Sequence, residues 1–358
     1  MPSYERPNIQ GMAGYTSGEQ PDDKRTIKLN TNENPYPPSP AVDQAISAIS
    51  GVDLRRYPQP TADQLRTEIA HVQGIQQSQI VVTNGGDEAI RLAITTFVEP
   101  GATIAVAEPS YSLYPVLADI HGAKMLRVEL DESWILPDNF ARMANEAAAQ
   151  LSCIVNPHAP SGTLVGTDTL SSLADALDGV LLIDEAYVDF VDPELGYDCT
   201  SLINKHDNVL VLRSFSKGYG LAGMRLGYLF GAETLIDPIV TKTRDSYNID
   251  HISQAVGLAA FSDQAYAQNT WKSVREQREL VRNALQQLGL ESPSSQANFI
   301  LATVSTESPC NAETLYETLK REGILVRYFP SMKDKLRVSI GTPEENRELL
   351  ATLTKLLA

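Results

Sequence analysis

From about residue 61 to residue 250 the hydrophobic positions switch repeatedly between two spacings. Short apolar runs rich in β-branched residues predict strands at 79–83, 103–107, 124–128, 151–155, 180–183 and 209–212, with a further one at 224–230. Between them the apolar positions recur at helical spacing. One helix is expected over 61–72, capped by Thr61 with Asp63 and Glu68 near its start, and another over 87–94. Wholly apolar strands alternating with helices predict an α/β fold in which a mostly parallel sheet is covered by helices on both faces.

Past His251 the pattern changes. A long helical region over 252–288 leads to a strand at 297–301, a helix at 312–322, extended segments at 323–327 and 335–340, and a last helix from about Pro343. That succession describes a small α+β domain. Residues 1–44 are rich in Pro, Asn and Gly, and 32–38 is too broken for a helix. The expected organisation is an N-terminal arm (1–44) joining the small domain, a large domain (45–250), and a long linking helix with the small C-terminal domain (251–358).

Composition narrows the function classes. A net charge of −16 argues against nucleic acid or an anionic membrane as the main partner, since both need basic surface. No run approaches ~18 apolar residues, and the start lacks a signal-peptide pattern. Cys153, Cys199 and Cys310 are odd in number and far apart, and the five histidines show no paired ligand spacing. A reduced, cytoplasmic, metal-free protein is expected.

The candidate chemistry lies just past the strand at 209–212, in Arg213-Ser214-Phe215-Ser216-Lys217-Gly218-Tyr219-Gly220-Leu221-Ala222-Gly223-Met224-Arg225. Two serines and an arginine suit an anion, and the glycines let backbone approach it closely. A lysine in such surroundings can form a Schiff base with a carbonyl. A phosphate and an aldehyde on one molecule satisfy the whole stretch, and pyridoxal phosphate is that molecule. Taken alone, Lys217 would be read as a solvated surface charge. Gly218, Gly220 and Gly223 also spell G-x-G-x-x-G, but Lys217 intervenes, and residues 224–230 read as a strand rather than a helix. Ser214 to Lys217 spells S-x-x-K without the companion S-D-N and K-T-G motifs of a serine hydrolase.

Other strand ends converge on the same edge, where open α/β sheets bind ligands. The strand at 79–83 runs into Asn84-Gly85-Gly86-Asp87 and a helix start, a phosphate site. The strand at 103–107 runs into Glu108-Pro109-Ser110-Tyr111, offering an aromatic face. The strand at 180–183 ends in Asp184-Glu185-Ala186-Tyr187. A carboxylate there needs a partner, and a pyridinium nitrogen is one.

These motifs, with Leu29-Asn30-Thr31-Asn32-Glu33-Asn34-Pro35, Arg56-Tyr57-Pro58, Val326-Arg327 and Leu336-Arg337-Val338, make the chain resemble the fold-type I pyridoxal-phosphate aminotransferases over essentially its whole length. Within them it is similar to the histidinol-phosphate aminotransferases. The resemblance implies that Lys217 carries the cofactor, Asp184 partners the pyridine nitrogen, Tyr187 hydrogen-bonds the phenolic oxygen and Tyr111 stacks on the ring. It implies that Gly86, Asp87, Ser214, Ser216 and Arg225 hold the phosphate. Tyr57 resembles the residue that reaches it from the neighbouring subunit of a homodimer. Arg337 resembles the fork that grips a substrate carboxylate, Arg327 and Tyr15 resemble substrate-phosphate contacts, and Asn32 lies in a motif lining the same entrance. The implied substrates are histidinol phosphate and glutamate, exchanging with 2-oxoglutarate in a ping-pong reaction with Lys217 as general base and acid. An aromatic or other amino-acid aminotransferase and a threonine-phosphate type of decarboxylase share these features. One departure stands out: Ala159, in Asn156-Pro157-His158-Ala159-Pro160, occupies the position where the family carries an asparagine that donates to the cofactor's phenolic oxygen. Tyr187, His158 or water would have to replace that bond.

Overall fold

The computed structural model describes residues 4–21, 23 and 25–357. Its centre is a seven-stranded sheet in the order Ile80–Thr83, Gly227–Gly231, Val209–Ser214, Val180–Asp184, Ala149–Val155, Thr103–Glu108, Lys124–Glu129. Every neighbouring pair is parallel except the two made by Gly227–Gly231, which runs against both its partners. The apolar runs alternate between faces as the pleat requires. Val209 and Val211 join one buried cluster, and Leu210 and Leu212 join the other. All but one of the strands therefore end at one edge, where the chemistry predicted from the sequence is delivered.

The helices differ from expectation in instructive ways. Thr61 does not cap its helix: Asp63–Gln73 starts after Ala62, which sits in the left-handed region at φ 52°, and the Thr61 hydroxyl instead donates to Asp63 Oδ1 at 2.6 Å. The expected helix over 87–94 begins two residues earlier, as Gly85–Phe97. The region 252–288 is two helices, His251–Ser262 and Gln264–Gln287, because the Asp263 carboxylate caps the second by accepting from the Tyr266 amide, and also binds the Ser39 hydroxyl.

A second sheet of four strands orders Arg327–Tyr328, Lys335–Ser339, Phe299–Val304 and Leu290–Glu291, all antiparallel. The extended stretch at 323–327 thus splits between two pairings. Ile324–Leu325 pairs in parallel with Ile27–Lys28. A separate buried cluster, including Leu29, Phe190, Val274, Leu315, Val338 and Leu353, underlies this part.

Candidate active site

The strand Val209–Ser214 ends in the turn that carries Lys217. Its Nζ donates to the Thr31 carbonyl at 2.8 Å and lies 5.9 Å from the centre of the Tyr187 ring. Desolvation, helped by the nearby charges of Arg337 and Arg225, pulls its pKa from the usual lysine range down to about 8. A neutral amine is a nucleophile and a base.

Asp184 closes the next strand and is 4% exposed. Its Oδ2 accepts from the Tyr114 hydroxyl at 2.9 Å and its Oδ1 from the Ala186 amide at 3.1 Å. Burial raises its pKa to about 6, and the two hydrogen bonds oppose that rise. Glu185, one residue on, projects to the other side of the sheet and is ion-paired with Arg213 at 2.7 Å. Sequence reasoning does not single out Tyr114, which lies in the first turn of the helix Leu113–His121, three residues after Tyr111.

An anion cradle forms at the start of the helix Gly85–Phe97, where free amides and the helix dipole favour negative charge. Arg225, at φ 51°, reaches across it. Its Nη2 donates to Asp87 Oδ2 and its Nη1 to Ser216 Oγ, both at 3.3 Å. Ser214 Oγ accepts from the Ser216 amide at 3.1 Å. The guanidinium lies so close over Gly85 that a Cβ there would come within 2.8 Å of Nη2, and the φ of 74° at this position favours glycine. Tyr111 donates to Asp87 Oδ1 at 3.3 Å and takes the Tyr15 ring edge-on at 5.9 Å.

Across from these stands the four-stranded sheet. Arg337 is partly buried, with its guanidinium 5.1 Å from the Phe299 ring centre and 5.5 Å from that of Phe329. Nη2 donates to the Asn30 carbonyl at 3.2 Å, while Nε is enclosed with no partner among the described residues. Desolvation, with a contribution from neighbouring Arg327, lowers its pKa. The Arg327 guanidinium also faces Phe329, 5.8 Å from that ring centre. Asn32 is 1% exposed and donates from Nδ2 to the Tyr187 oxygen at 3.0 Å. The Tyr187 hydroxyl proton is therefore free to donate elsewhere. His158 is not: its Nδ1 is engaged by Ser161 Oγ at 2.7 Å and its Nε2 by the Pro109 carbonyl at 2.8 Å. Of the side chains that could replace the bond missing at Ala159, Tyr187 is the one available.

The structure thus brings together Lys217, Asp184, Tyr187, Tyr111, Gly86, Asp87, Ser214, Ser216, Arg225, Arg337, Arg327, Tyr15 and Asn32. It does not bring Tyr57 to them. That ring is 80% exposed, stacks on Tyr247 at 4.5 Å, and lines a different depression with Arg56, His251 and Gln254. Thr31, Tyr114, Phe299 and Phe329 join the site without having been anticipated. Pyridoxal phosphate fits these residues: there is a cradle for an anion, a buried carboxylate with no cation paired to it among the described residues, and an amine of depressed pKa. Among the described residues no cluster could hold a metal ion, and no helix is long and apolar enough to cross a membrane.

Comparison with known proteins agrees. Residues 24–353 match the family model for aminotransferase class I and II. The chain is 41% identical to histidinol-phosphate aminotransferase 1 of Trichormus variabilis, with all of both chains covered. It is 39% identical to the histidinol-phosphate aminotransferase of Syntrophotalea carbinolica, over 97% of this chain and 98% of that one. The solved structure of histidinol-phosphate aminotransferase from Sinorhizobium meliloti, in complex with pyridoxal-5'-phosphate, superposes with a TM-score of 0.90 at 23% identity, covering 100% of this chain and 98% of the other. At that identity the likeness concerns the fold, which is the fold-type I architecture.

Proposed function

The chain belongs to the class I and II aminotransferase family, and on that premise we propose that it moves an amino group between L-histidinol phosphate and 2-oxoglutarate, in histidine biosynthesis. The observation that carries this reading is the opposition of a depressed-pKa amine, Lys217, to a partly buried arginine, Arg337, whose Nε has no partner among the described residues. A site that must take glutamate and a phosphorylated amine in turn needs such an uncommitted cation, and Arg327 beside it adds a second.

In this reading Gly86, Asp87, Ser214, Ser216 and Arg225 hold the phosphate of pyridoxal phosphate, Tyr111 covers one face of the ring, and Asp184 partners its nitrogen. When bound, the cofactor supplies an electron sink for the carbon that carries the amine. The chain supplies the rest. Lys217 Nζ, neutral above about pH 8, takes the proton from the substrate α-carbon and returns one on the way back. Tyr187 donates its hydroxyl proton to the phenolic oxygen, with Asn32 fixing its orientation. Arg337 and Arg327, with Tyr15, orient the anionic end of each substrate. Tyr57, exposed and remote from this chain's own site, completes the phosphate cradle of a second copy, so the working unit is a homodimer in the cytoplasm.

Incubating the protein with histidinol phosphate and 2-oxoglutarate tests the proposal, with glutamate formation as the expected result. Faster turnover of an aromatic amino acid would shift the assignment to an aromatic aminotransferase, and release of carbon dioxide from a phospho-amino acid would replace it by a decarboxylase.

A further inference from the structure

Asp184 is enclosed at the end of an apolar strand, and no lysine or arginine ion-pairs with it among the described residues. Its neighbour Glu185 solves the same burial problem in the ordinary way, with Arg213 at 2.7 Å. Asp184 instead receives a neutral donor: the hydroxyl of Tyr114, itself 1% exposed, at 2.9 Å. We propose that Tyr114 is a positioning residue, whose phenol, together with the Ala186 amide, holds the Asp184 carboxylate charged and in one orientation without neutralising it. This rests on the reading of Asp184 as the partner of a cationic ring nitrogen.

The choice of donor fits that role. A cation at Tyr114's place would satisfy the carboxylate permanently and compete with the ring. A purely apolar residue there would let burial protonate the acid, and a neutral acid cannot pair with a cation. A buried phenol does neither. It offers one hydrogen bond to a charged acceptor, a stronger kind than a neutral pair. The groups facing Asp184 make that bond necessary: Asp87 and Glu185 both push it toward protonation, and Cys153 on the adjacent strand and Tyr187 add acidity but no positive charge. Tyr114 is held in turn by packing. Its helix, Leu113–His121, buries Leu113, Leu117 and Ala118 beside it, and its ring meets Tyr111 edge-on at 6.2 Å. The phenol thus links the aromatic wall to the carboxylate.

The test uses Tyr114→Phe, which keeps the ring and removes only the hydroxyl, and two readouts on the cofactor-free protein. The first is pyridoxal phosphate affinity by absorbance titration, expected to fall roughly 10-fold for a lost bond to a charged group. The second is thermal melting against pH. Because the folded pKa of Asp184 lies above its unfolded value, its contribution favours folding most at low pH and is lost as pH rises through about 6. Removing the phenol moves that pKa further up, so the stability deficit of Tyr114→Phe should widen from pH 5 to pH 8. In an Asp184→Asn background the widening should vanish. Should Tyr114→Phe fail to fold, the double variant Tyr114→Phe/Asp184→Asn should recover the fold; a double as defective as the single overturns the inference. So does a deficit of constant size at every pH, or one that persists with Asn at 184. The parent reading fails separately, if Asp184→Asn binds pyridoxal phosphate as tightly as the wild type and turns over at the same rate.

Discussion

Arg225 and Arg337 look into the same space from opposite walls under opposite conditions. The Arg225 side chain is 45% exposed, sits on a left-handed residue at the cradle, and is already paired with Asp87. The Arg337 guanidinium lies near two phenylalanine rings, and among the described residues no carboxylate ion-pairs with it and its Nε has no hydrogen-bond partner. The first can change one anion for another at little cost, since an exposed ion pair contributes little by itself. The second carries the cost of desolvation until a ligand arrives. A group that keeps its cofactor through many turnovers suits the first arrangement, and a substrate that must bind and leave suits the second.

That contrast can be broken in four places. The largest effect is expected at Lys217, between the two walls. Lys217→Ala should abolish glutamate formation while the protein still binds pyridoxal phosphate non-covalently, detected by equilibrium dialysis; loss of that binding as well would mean the cradle depends on the lysine. Next comes Arg337→Lys, which keeps the charge but loses the planar fork. It should lower kcat/KM for glutamate about 100-fold, with cofactor affinity unchanged. An equal loss in cofactor affinity would erase the distinction between the walls. Arg225→Gln should do the reverse, weakening pyridoxal phosphate about 10-fold while leaving KM for substrate intact once cofactor saturates. The smallest effect concerns pH. Lys217 is depressed to about 8, so the rate at which cofactor-free protein captures pyridoxal phosphate should rise through about pH 8 as the amine loses its proton. Arg337 outweighs Arg225 among the charges that lower this pKa. Arg337→Met should therefore move the midpoint upward by more than Arg225→Gln does, and a larger shift from Arg225 would show that the nearer field belongs to the cradle.

What was legible in the sequence was local. Apolar β-branched runs announce strands wherever they lie, and the residues just past each run, Asn84-Gly85-Gly86-Asp87, Asp184 and Ser214 to Lys217, are read off the same line. What stayed hidden depends on residues far apart in the chain. Tyr114 meets Asp184 across 70 positions and Asn32 meets Tyr187 across 155. The acceptor for Lys217 is the Thr31 backbone carbonyl, a group every residue has and no motif can mark. The reversed strand Gly227–Gly231 is buried throughout, so its pattern holds no sign of direction. Asp263 did leave a trace: an aspartate inside a helical run is a capping signal, and it breaks 252–288 in two.

Asn32 has a mechanical consequence. Its amide donates to Ser339 Oγ, its Oδ1 accepts from that hydroxyl, and its carbonyl accepts from Asn298 Nδ2. Together with the parallel pairing of Ile27–Lys28 and Ile324–Leu325, these bonds weld the segment around residues 27–32 to the C-terminal sheet, while a single bond ties Asn32 to Tyr187. If the two sheets shear, the weld travels, and the bonds that must part are those of Asn32 to Tyr187, of Asn34 Nδ2 to the Gly218 carbonyl and of Lys217 to Thr31. Thr31, one residue away, would travel too, taking the hydrogen-bond acceptor away from Lys217. Displacement of the C-terminal part is in this way geared directly to the freedom of one amine.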